Sequence, residues 1–124
     1  MTWWAWSLVG VAGAVGAPLR YVLDVLVSER SGSAFPFGTM VVNVSGSFVL
    51  GLITGLAMYH GLPKPAKEVL GTGLIGAYTT FSTFSFETVQ LLEDGELRGA
   101  LANVAASLFA GGLAAAAGIA LGGL

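Results

Sequence analysis

The chain has 124 residues, 55% hydrophobic and only 10% charged, where ordinary soluble domains carry roughly 25% charged residues. A formal net charge of −2 offers no attraction to nucleic acid, and the absence of cysteine excludes disulfides, thiolate catalysis and most structural zinc sites. Composition therefore predicts one small all-α domain, residues 1–124, embedded in lipid, where its 19 glycines let helix backbones approach closely.

A spanning helix needs about 20 mostly apolar residues to cross a hydrocarbon layer of about 30 Å, and four stretches qualify. The first covers about residues 3–27, with Trp3, Trp4 and Trp6 suited to a membrane interface and Arg20 and Asp24 near its far end. It lacks the basic start of a signal peptide and is too long for one, so it reads as a retained membrane segment. The second stretch, about 36–59, contains no Asp, Glu, Lys or Arg. Thr39, Asn43 and Ser47 recur on one of its faces at intervals of four, and Gly51 and Gly55 continue that face as a track of small residues.

The third stretch, about 66–92, holds three glycines at 71, 73 and 76, followed by clustered hydroxyls from Thr79 to Ser85. That run predicts a helix broken near Gly76 to Thr80. Broken backbone at membrane depth is tolerated only where protein buries it or a cavity accepts it, and it frees carbonyls able to hold a cation. Beyond the break, Phe81 and Phe84 share a helical face among the hydroxyls of Ser82, Thr83 and Ser85. The fourth stretch, about 97–121, repeats a polar stripe with Asn103, Ser107 and Gly111. Two stripes of equal spacing point to a wet path between helices.

Short connections force consecutive helices to run antiparallel and place both termini on one side. Lys64 and Lys67 lie on that side, whereas Arg30 and Arg98 lie on the other, with Arg20 nearby. The positive-inside bias is thus nearly null, which predicts insertion in both orientations and pairing of two opposite copies about an axis in the membrane plane. His60 is the lone histidine, and there is no nucleophile with a base and no phosphate-binding glycine loop, so the chain is not expected to be an enzyme. A proton-coupled exporter needs a carboxylate at mid-membrane, whereas Asp24 lies near a helix end and Glu87 about two turns past the break.

Gly13-Ala14-Val15-Gly16-Ala17-Pro18-Leu19-Arg20-Tyr21, Phe35-Pro36-Phe37-Gly38-Thr39 leading into Asn43-Val44-Ser45-Gly46-Ser47-Phe48, and Gly76 through Thr79-Thr80-Phe81-Ser82-Thr83-Phe84-Ser85 together resemble the Fluc, or CrcB, fluoride channels. The resemblance covers essentially the whole chain; its Thr-Thr-Phe-Ser-Thr-Phe string is highly specific. It implies a dual-topology, antiparallel homodimer in the cell membrane that exports fluoride passively and relieves fluoride toxicity. Two fluoride pathways would flank a structural sodium ion held by the backbone carbonyls of Gly76 and Thr79 from both subunits. Phe81 and Phe84 would sit beside the permeating ion, Asn43 would be a polar partner to it, and Ser82, Thr83 and Ser107 would supply hydroxyls. Arg20 would draw anions into a vestibule, and Thr39 belongs to the same expected pathway. Pro18 beside Arg20 departs from the family pattern and bears on where the Arg20 side chain points.

Overall fold

The computed structural model describes residues 1–124 and contains helices and short connections only. Helix α1 runs Trp3–Ser31, and α2 runs Phe37–His60. The expected third stretch is composite: α3 (Lys64–Lys67), a π-helical segment Glu68–Ile75, the single turn α4 (Gly76–Tyr78), two extended residues, and α5 (Phe81–Glu93). Helix α6 runs Leu97–Gly122. Three of these, α1, α2 and α6, are long and apolar enough to cross a membrane.

The first helix is longer than its expected 3–27 span. It passes uninterrupted through Pro18 and stops at Gly32, whose positive φ of 59° and N–H bond to the Ser28 carbonyl form a left-handed cap. The second and last helices match their expected bounds to within a residue at each end.

The break is narrower than expected. Gly76, Ala77 and Tyr78 remain helical, and only Thr79 (φ −81°, ψ 159°) and Thr80 (φ −146°, ψ 124°) are extended. The irregularity begins earlier instead, in the eight-residue π segment that sequence patterning does not reveal. A π segment widens the bond spacing from four residues to five but leaves composition untouched, so mean hydropathy along the chain does not register it.

Small residues build the interior. A Cβ placed on Gly51 would lie 2.3 Å from the Ala115 carbonyl oxygen, and one on Gly118 would lie 2.2 Å from that of Phe48, so α2 and α6 meet backbone to backbone. On the other side α1 packs on the π segment, where a Cβ on Gly16 would lie 2.2 Å from the Leu74 carbonyl oxygen. Such close approach gains dispersion contacts that hydrophobic burial cannot supply among lipid tails. The outer surface matches that solvent: Val11, Val15 and Leu19 on α1 and Leu108, Phe109 and Leu113 on α6 are exposed.

Candidate ion pathway

The two extended residues are held by α2. Asn43 Nδ2 donates to the Thr80 carbonyl at 2.8 Å, and Asn43 Oδ1 accepts the Thr80 N–H at 2.8 Å. One side chain thereby satisfies both backbone groups of Thr80, which the break leaves without helical partners. Gly46 lies one turn on and lets Thr79 approach α2, since a Cβ there would come within 2.3 Å of Thr79 Cγ2. Tyr78 adds a second fastening: Ser45 donates to the Val42 carbonyl at 3.1 Å, so the Tyr78 hydroxyl donates to Ser45 at 2.9 Å.

Helix α5 starts cleanly because Thr80 caps it, its hydroxyl accepting the Thr83 N–H at 3.1 Å. The break therefore sets the carbonyl end of α4 beside the N–H end of α5. The first carries partial negative charge and the second partial positive charge.

Thr80 is 8% exposed and forms part of the wall of two cavities. One, of about 340 Å³, is lined by Asn43, Ser47, Thr79, Phe81, Phe84 and Ser107 among others. The other, of about 210 Å³, is lined by Arg20, Asp24, Thr39, Val42 and Thr83 with Tyr21. The expected pathway residues thus divide between two chambers that share Thr80 in their walls. Ser82 lines neither; it is exposed, and its hydroxyl meets that of Thr80 at 3.3 Å. Phe81 is 80% exposed, and its ring centroid lies 6.0 Å from that of Phe84 at an interplanar angle of 44°.

Hydrogen-bond direction sorts the polar groups by what they can still donate. Thr39 gives its proton to the Glu87 carboxylate, and Ser47 gives its own to the Asn43 carbonyl at 2.8 Å. Thr80 donates to the Thr83 hydroxyl at 3.0 Å, so Ser82 is left to donate to Thr80. The Thr83 hydroxyl proton and the second Asn43 amide hydrogen remain uncommitted, and Ser107 is held only by a 3.5 Å contact to Asn43's counterpart on α6, Asn103. Arg20 donates to the Thr79 carbonyl at 3.4 Å and also lines the smaller chamber. Pro18 does not turn it away from the break. The Glu87 partner of Thr39 lies 48 residues along the chain, and no local spacing announces that pairing.

These features define a multi-pass helical membrane protein with a polar, interrupted segment between its spans. The CrcB family, described as "CrcB-like protein, Camphor Resistance (CrcB)", matches residues 7–119. The "Fluoride-specific ion channel FluC 1" of Leifsonia xyli subsp. xyli is 49% identical over 116 residues, covering 94% of this chain and 85% of that protein. A protein of the same name from Streptomyces avermitilis is 52% identical over 115 residues, 92% of each chain, and "Fluoride-specific ion channel FluC 2" of Mycolicibacterium paratuberculosis is 47% identical over 110 residues. The chain belongs to the CrcB family, as its motifs indicate.

Proposed function

We propose that this chain is a subunit of a fluoride-selective channel, not an enzyme, and that it lets fluoride leave the cytoplasm passively through the cell membrane. Its relatives carry the fluoride-channel name over nearly their full lengths. The observation within the chain that best supports the reading is the pair of chambers that share Thr80, with uncommitted donors and aromatic rings but no carboxylate in the larger one.

Fluoride is small and strongly hydrated, so it enters a low-dielectric site only where other groups replace its water. A full positive charge would hold it too tightly for release. The free amide hydrogen of Asn43, the hydroxyls of Thr83 and Ser107, and the positive edges of the Phe81 and Phe84 rings are weaker and can hand the ion on. Arg20 and the opening turn of α5 bias the approach toward anions. Thr39 and Ser82 serve as supports in this reading, because their protons are already given to Glu87 and Thr80.

The composite third stretch is the fourth crossing of a single transmembrane domain, and the working unit is an antiparallel homodimer. Phe81 and Gly76 are exposed on the isolated chain, which suits a pathway completed by a second copy. Gly76 and Thr79 fit a carbonyl-bound sodium ion: the Thr80 N–H that a continuing helix would send to Gly76 goes to Asn43, and Thr79 lies outside any helix with only the long Arg20 contact. Bound there, sodium would offset the partial negative charge of the Gly76 carbonyl and share the Thr79 carbonyl with Arg20.

Reconstitution in liposomes with a fluoride electrode, and chloride as the control, tests the reading. Rapid fluoride efflux without chloride efflux is the expected result. Vesicles that retain fluoride, or lose both halides alike, would refute it.

A further inference from the structure

Helix α5 carries Phe81, Thr83 and Phe84, yet Leu91 is its only buried residue. Within one chain, apolar packing therefore does little to fix its height or rotation. A directed line of hydrogen bonds does it instead. Asn103 Nδ2 donates to the Thr88 hydroxyl at 2.9 Å and Thr88 donates to the Phe84 carbonyl at 2.8 Å, while the Ser107 hydroxyl rests 3.5 Å from Asn103 Oδ1, too far to commit its proton. Asn103 is 2% exposed, and with Val42 it is one of the two largest fully enclosed side chains in the protein. It lines neither chamber, although Ser107, one turn along the same helix, does.

We infer that Asn103 is a positioning residue that acts from outside the ion route, setting Phe84 through Thr88 on one side and the Ser107 hydroxyl on the other. The stripe of Asn103, Ser107 and Gly111 is then not one wet track. Ser107 faces the chamber, and Asn103 is the buried joint behind it. Each joint spans one helical turn, Asn103 to Ser107 and Thr88 to Phe84, so a shift at the joint reaches both lining groups. An amide stripped of its partner in this dry setting is costly, which keeps the line intact. The inference rests on the channel reading for what α5 presents to the ion, and on the hydrogen bonds alone for how α5 is held.

The test uses the full chain as wild type, Thr88→Val, Asn103→Leu, the double variant and Thr88→Ser in liposomes, each first checked by size-exclusion profile. Thr88→Val keeps the side chain's shape and removes the hydroxyl. The expected result is fluoride efflux slowed about tenfold in either single variant, with reduced preference for fluoride over chloride. The double variant should be no slower than the slower single, and Thr88→Ser should restore the wild-type rate. Wild-type flux and selectivity in Thr88→Val would overturn the inference, as would multiplying losses in the double variant, which would place Asn103 against the ion. If wild-type vesicles hold their fluoride, the channel reading fails by itself. The joint is then judged by thermal melting of the same proteins, where additive shifts count against it and shared shifts support it.

Discussion

Where α2 meets α6, glycines bring backbone against backbone; where α5 meets its neighbours, the joins are an amide, hydroxyls and the Glu87 carboxylate. The first seam draws its strength from many small dispersion contacts and tolerates no added atom. The second uses a few directional bonds, strong because little water competes for them, and leaves space beside them. The pathway residues cluster along the second. The division gives the molecule a rigid half that sets distances and a sparsely packed half that keeps a polar opening.

The largest effect should come from the rigid half. Gly118→Leu drives a side chain into the Phe48 carbonyl, an overpacking penalty of about 3 kcal/mol or more, and should abolish recovery of a monodisperse protein in detergent. Survival of that variant with normal elution would break the contrast. Next, Asn43→Ala removes both bonds to Thr80, about 2–4 kcal/mol from unpaired backbone groups. Fluoride flux should vanish, with the melting temperature lowered in the same sample. Phe81→Ile touches only an exposed ring, so flux should fall by about tenfold or more while size-exclusion and melting stay as in wild type. Ser82→Ala should be the mildest, changing stability by under about 0.5 kcal/mol and flux by less than about twofold, because Ser82 lines neither chamber. A large loss there would return Ser82 to the ion route.

Hydropathy made the extents of α2 and α6 legible, since Arg30 and Lys64 bracket the one and no charged residue follows Arg98 in the other. The small-residue track at Gly51 and Gly55 was legible too, because interval four on a helix means one face. The π segment was not, and neither was the retreat of the break to Thr79 and Thr80. Both depend on what α1 and α2 present to the third stretch, notably Asn43, and a propensity summed along one strand of chain contains no such neighbour. The family resemblance grouped Asn43, Phe81, Phe84 and Ser107 along one pathway, and these residues line one chamber. It did not show which protons were already committed. Thr39 and Ser82 look like free donors in the sequence, and only the positions of Glu87 and Thr80 reveal otherwise.

A single threonine stands in the walls of both chambers. Its backbone is held by Asn43 and its hydroxyl caps α5, so on the proposed route one residue borders both chambers and also fixes the start of the helix that carries the rings. Trimming Thr80 would therefore disturb both basins and the first turn of α5 together.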